Sequence, residues 1–243
     1  MRSGPSRAGT AAASGSERID TMAFESLSDK LTEAFKRLRT NIIMSFPQGK
    51  KCCTIGVTSA QPSEGKSTVS LNLAYSLAEL GDKVLLIDAD MRRSSIHKKL
   101  GIELTPGLSN LMEDTNSIST VVKKYQSSTD DTWFDIITGG STPLNPSELL
   151  NSKRMEQLLK ALKSVYDYIV IDLPPVGAVI DAVAVSKQTD GMLVVIRENN
   201  CPRRVLTDCV DQLKFANINI LGFVMNGALE GAGKRYQYSS YYK

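Results

Sequence analysis

The run Cys53-Thr54-Ile55-Gly56-Val57-Thr58-Ser59 leads directly into Ala60-Gln61-Pro62-Ser63-Glu64-Gly65-Lys66-Ser67-Thr68. From Lys66 the apolar residues take helical spacing, which stops at Gly81. A strand, a loop ending in Gly-Lys-Ser and a helix opening at the lysine are the context of a phosphate-binding loop. Backbone N–H groups of such a loop, together with the helix N-terminus, form a concavity for anions. Lys66 would neutralise the β- and γ-phosphate oxygens of a nucleotide, and the Ser67 hydroxyl would ligate Mg²⁺. Gln61, Pro62, Ser63, Glu64, Gly65, Lys66, Ser67 and Thr68 are therefore the candidate nucleotide contacts. The common pattern has glycine first, where this chain has Ala60. Ser63 is compatible with the loop if its φ is negative. An ordinary basic loop is the competing explanation, and the flanking strand and helix weigh against it.

The rest of the chain repeats the strand–helix alternation. Apolar runs cover residues 83–88, 134–137, 168–172, 191–196 and 218–225, with helical patterns at 26–46, 147–165 and 202–215. The near-continuous apolar runs suit strands buried on both faces. The expected fold class is α/β, a mostly parallel sheet flanked by helices, of P-loop NTPase type. Residues 1–21, rich in Ser, Gly, Ala and Arg, read as a disordered leader, and as a possible expression-derived segment. Residues 22–230 read as the P-loop domain, and residues 231–243 as a flexible, tyrosine-rich tail.

A net charge of +3 on 243 residues does not demand a nucleic-acid partner, and none is expected. No apolar run reaches the ~18–20 residues that span a bilayer, so a cytosolic location is expected unless a partner holds the chain at a membrane. Cys52, Cys53, Cys201 and Cys209 match no metal-ligand spacing and read as reduced thiols. With His97 as the only histidine, histidine triads and multi-histidine metal sites are excluded by count.

Two apolar runs end in acids: Ile87-Asp88-Ala89-Asp90-Met91-Arg92 and Ile171-Asp172-Leu173-Pro174. Ligands of open parallel sheets bind at the carboxyl ends of strands, where an aspartate can hold Mg²⁺ near the γ-phosphate. Asp88 and Asp90 could divide two tasks, one holding metal and the other accepting a hydroxyl proton. An isolated Asp after a strand is often only a helix cap; the upstream loop makes the metal role the better reading here.

Together, residues 60–67, 87–92 and 169–174 resemble the Walker A, A′ and B motifs of bacterial tyrosine kinases of capsule and exopolysaccharide systems. The resemblance covers about residues 33–243. It implies an ATP-dependent protein-tyrosine kinase, with ATP and Mg²⁺ as cofactors. Lys66 would hold the phosphates, with Ser67, Asp90 and Asp172 on the metal. Asp88 would orient or deprotonate the acceptor, although the roles of Asp88 and Asp90 could be exchanged. Arg92 would stabilise transferred charge or a subunit contact, and Asn226 would contact the adenine. Glu33, Lys36 and Arg39 resemble the family's oligomerisation motif, with Lys36 replacing an arginine, which implies a homo-oligomeric ring. Half of the eight tyrosines lie in the last eight residues. Tyr236, Tyr238, Tyr241 and Tyr242 are thus the implied autophosphorylation sites. A separate membrane activator and a cognate tyrosine phosphatase are the implied partners, with the chain peripheral at the inner face of the cell membrane. The rival reading is a deviant Walker ATPase that positions plasmids, chromosomes or septa. Those proteins carry a second lysine at the position of Gln61 and lack the tyrosine cluster.

Overall fold

The structure, a computed structural model, describes residues 27–177 and 185–227. The leader and the tail of the sequence reading, including its four tyrosines, lie outside these residues. Among the described residues the elements run α1 (Asp29–Met44), β1 (Cys53–Ser59), α2 (Lys66–Ala78), β2 (Val84–Asp88), α3 (Ile96–Leu100), α4 (Leu108–Met112) and α5 (Ile118–Val121). They continue with β3 (Lys123–Gln126), β4 (Trp133–Ile137), α6 (Pro146–Leu150), α7 (Lys153–Leu162), β5 (Tyr168–Asp172), β6 (Gly191–Arg197), α8 (Arg203–Phe215) and β7 (Ile220–Asn226).

The seven strands form one sheet in the order β3-β4-β2-β5-β1-β6-β7. All pairings are parallel except β3 with β4. Every residue of β1 and β2 is buried, as a parallel sheet covered on both faces requires. On one face Ile55, Val57 and Leu86 pack with Leu71, Leu73 and Leu77 of α2 and Ile42 of α1. On the other, Leu85, Ile87, Ile169 and Ile171 pack with Leu158 and Leu162 of α7 and Leu213 of α8. The absence of a side chain at Gly56 is a packing requirement, because a Cβ there would lie 2.1 Å from the Met192 Sδ.

Register fixes the site. Val57 of β1 and Asp88 of β2 both align with Asp172 of β5. The carboxyl ends of three adjacent strands therefore finish level, and the phosphate loop and both acidic segments leave the sheet together.

The structure departs from the sequence expectations in three places. The single helix expected over 147–165 is two helices, because Ser152 caps a fresh start, its hydroxyl accepting from the Met155 N–H at 3.2 Å. The strand β3 was not anticipated. It is a polar, antiparallel edge strand, with the Lys124 ammonium 3.7 Å from the centre of the Trp133 ring. The segment between β2 and β3 carries three short helices. No helix among the described residues is long and apolar enough to cross a membrane.

Candidate functional site

The loop between β1 and α2 is held from inside and from behind. Gly65 takes φ +92° and caps α2 without a side-chain hydrogen bond, so no side chain covers the first-turn N–H groups. A Cβ at Gly65 would sit 1.9 Å from the Asn226 Nδ2. That amide donates to the Glu64 carbonyl at 2.9 Å, while its Oδ1 accepts from the Gly227 N–H. From the end of β7, Asn226 thus braces the loop. The Glu64 carboxylate is fully buried and accepts the Gln61 N–H at 3.0 Å. The Ser59 hydroxyl donates to the Gln61 carbonyl at 2.7 Å.

Ser63 has φ +66°, so the condition of a negative φ is not met. The loop needs a left-handed residue there, and Arg197 at the end of β6 donates to the Ser63 carbonyl at 3.4 Å. Neither Arg197 nor the part played by Asn226 as a brace has a local signal in the sequence.

Lys66 is buried at the mouth of the sheet. Its ammonium lies 2.8 Å from Asp90 and 3.5 Å from Asp172, with the Ser67 hydroxyl at 3.4 Å. Burial alone would lower the Lys66 pKa, but Asp172 and Asp90 raise it above the ordinary value, so the cation stays charged. The Ser70 hydroxyl donates to Asp172 at 3.2 Å. Burial raises the Asp172 pKa, against the opposing effect of Lys66.

Asp88 occupies a different setting, although it is only two residues from Asp90. It is fully buried, and its Oδ2 accepts from the Ser94 hydroxyl at 2.6 Å and from the Ser95 and Ile96 N–H groups at 3.2 and 3.3 Å. Its Oδ1 has no partner. Burial, reinforced by the nearby Asp172, pushes its pKa up to about 7. Asp90, by contrast, lines the open cleft.

That cleft has a volume of about 690 Å³ and is bounded by the loop, by Asp90, Arg92, Arg93, Ser95 and Lys99 after β2, and by Pro174 and Pro175 after β5. Arg92 is exposed and donates to the Ser147 hydroxyl at 3.3 Å. Oxygens of Ser67, Asp90 and Asp172 all fall within 3.5 Å of one cation, the Lys66 ammonium. A hard-oxygen set converging on a point of positive charge suits a divalent cation such as Mg²⁺, and the uncapped loop with Lys66 at its end suits a polyphosphate. The residues present therefore fit ATP and Mg²⁺.

The remaining sequence candidates are elsewhere. Glu33 and Lys36 project from α1 as exposed residues. Arg39 turns into its own chain, donating to the Ser76 carbonyl at 2.5 Å and to Glu79 at 3.0 Å. All four cysteines are free thiols.

A family model described as an AAA domain matches residues 53–221. The chain is 33% identical to the tyrosine-protein kinase YwqD of Bacillus subtilis over 207 residues, covering 85% of each chain. Its fold is similar to the kinase domain of the Escherichia coli tyrosine kinase ETK, with a TM-score of 0.76, 33% identity, and coverage of 87% of this chain and 79% of that one. It is also similar to the septum site-determining protein MinD of Pyrococcus horikoshii, solved with Mg-ADP, with a TM-score of 0.59, 25% identity, and coverage of 74% and 72%. Several curated relatives are longer: the chain spans 28% of a tyrosine-protein kinase of Acinetobacter johnsonii and 30% of the full-length Escherichia coli enzyme.

Proposed function

Since the chain belongs to the bacterial tyrosine kinases of the P-loop superfamily, we propose that it transfers the γ-phosphoryl group of ATP to tyrosine hydroxyls, its acceptors including Tyr236, Tyr238, Tyr241 and Tyr242. The observation that carries this reading is the placing of Lys66 between Asp90 and Asp172 in a cleft whose further cations face a phosphate loop. Lys66 exchanges its carboxylate partners for phosphate oxygens as the nucleotide binds. The α2 N–H groups and the loop amides hold the β-phosphate. Ser67, Asp90 and Asp172 would hold Mg²⁺, which would supply charge neutralisation for the phosphates. Asp88 accepts the tyrosine proton or orients the hydroxyl, and its pKa near neutrality suits that exchange. Arg92, at the rim, stabilises charge on the transferred group. Most of the rate enhancement then comes from positioning and charge neutralisation.

The wider role is part of the same proposal: regulation of capsule or exopolysaccharide synthesis or export. The chain forms a ring through α1, with Glu33 and Lys36 facing a neighbour. It meets a separate membrane activator at the inner face of the membrane, and a tyrosine phosphatase reverses the modification. Tail phosphates repel one another and loosen the ring.

The test is peptide-level mass spectrometry before and after incubation with ATP and Mg²⁺. Phosphate on the tail tyrosines, absent from the Lys66→Met variant, is the expected result. No tyrosine phosphate, even with activator fragments present, would return the chain to an ATPase switch.

A further inference from the structure

The cleft carries more positive charge than the phosphate loop uses. Lys66 is matched by Asp90 and Asp172, and Arg92 is engaged with Ser147. Arg93 and Lys99 also line the cleft, and neither has an acidic partner among the described residues. Neither belongs to the loop; both follow β2, on the side of the cleft that also bears Asp90 and Ser95. The Arg93 backbone N–H bonds the Asp90 carbonyl at 3.0 Å and its carboxylate at 3.1 Å. This ties the start of that wall to the acid beside Lys66.

The two cations call for an anion next to the transfer point but separate from the nucleotide. The acceptor segment itself supplies one. Tyr241 and Tyr242 are adjacent, and Tyr236 and Tyr238 are separated by one residue. An extended chain advances about 3.3 Å per residue. Tyr236 and Tyr238 then share one face, so with one of them at the γ-phosphate a phosphate already on the other falls about 7 Å from it. A phosphotyrosine carries about two negative charges and three acceptor oxygens. Arg93 can meet two of these oxygens with its planar fork, and Lys99 can add a point charge.

We propose that Arg93 and Lys99 form a subsite for a phosphotyrosine already present in the acceptor segment, so that one phosphorylation in the tail promotes the next. This rests on the tyrosine-kinase reading above. The subsite turns the tail cluster from a set of independent acceptors into an ordered one.

The test uses the full chain, stripped of phosphate with a phosphatase, and two peptides spanning residues 231–243, one unmodified and one carrying phosphate on Tyr238. With ATP and Mg²⁺ present, the KM of the phosphopeptide is expected to be about tenfold lower than that of the unmodified peptide. The Arg93→Ala/Lys99→Ala double variant should bring the two KM values together. The charge-keeping Arg93→Lys/Lys99→Arg variant should retain most of the difference, which separates lost charge from a damaged fold. Equal KM values in the unaltered protein would overturn the subsite and leave the kinase reading standing. Inorganic phosphate competing as well as the phosphopeptide would also overturn it, since the cations would then be a bare anion site. If neither peptide is phosphorylated but fluorescence anisotropy with ADP and Mg²⁺ shows phosphopeptide binding that the double variant loses, the subsite stands and the kinase reading fails.

Discussion

Asp88→Asn should stabilise the fold while stopping phosphotransfer. The Asp88 carboxyl rises from 3.8 to about 7 on folding because it is buried beside Asp172. The folded chain therefore holds an extra proton at pH values between about 4 and 7, and stability falls as pH rises through that window. At roughly 1.4 kcal/mol per pH unit, keeping Asp88 charged at pH 8 costs on the order of 4 kcal/mol. At pH 5 the same arithmetic gives less than half of that. Asparagine removes this cost and still offers an oxygen to Ser94, Ser95 and Ile96. Its NH2 group takes the place of Oδ1, which has no partner, and leaving that donor unbonded returns about 1 kcal/mol at either pH. The net gain is about 3 kcal/mol at pH 8 and close to zero at pH 5. For a domain of this size that corresponds to a Tm rise of about 6–12 °C at pH 8. Thermal unfolding in EDTA, followed by circular dichroism across pH 5–8, measures it. A variant less stable than the parent at pH 8, or a gain independent of pH, would refute the burial argument.

Three further changes probe the frame around the site. Gly56→Ala puts a methyl group 2.1 Å from the Met192 Sδ at the centre of the sheet; urea unfolding should show a loss of about 1–3 kcal/mol. Asn226→Ala removes the donor to the Glu64 carbonyl; the KM for ATP should rise about fivefold, equivalent to roughly 1 kcal/mol, with the melting curve nearly unmoved. Arg39→Ala breaks the half-buried pair with Glu79 and the bond to the Ser76 carbonyl; the cost should be about 1 kcal/mol in chemical unfolding.

The sheet and the phosphate loop were legible in the sequence because their signals are local. Buried parallel strands read as unbroken apolar runs, and the lysine that opens α2 is named by its neighbours. The acids at 88, 90 and 172 were legible for the same reason, each ending such a run. The polar strand β3 was hidden: Lys123, Lys124 and Gln126 have no strand pattern of their own, and only pairing with β4 makes them one. The break between α6 and α7 rested on a single cap, Ser152. The brace from Asn226, the left-handed Ser63 and the placing of Arg93 and Lys99 in the cleft depend on where distant segments meet. No window of sequence contains them.

The strand that bears the phosphate loop lies deep in the sheet, and both of its neighbours are made long after it. Cys53 pairs with Tyr168, and Ile55 with Gly191. At the ~5–20 residues per second of chain synthesis, the loop waits on the order of ten seconds for β5 and longer for β6. Throughout that interval β1 and α2 are an apolar hairpin without a floor, the kind of surface that chaperones hold. A ribosome that stalls before Asp172 releases a chain with the complete loop sequence but without one of the two carboxylates that flank Lys66. The pair of carboxylates that flanks Lys66 is complete only once the chain has been made through Asp172.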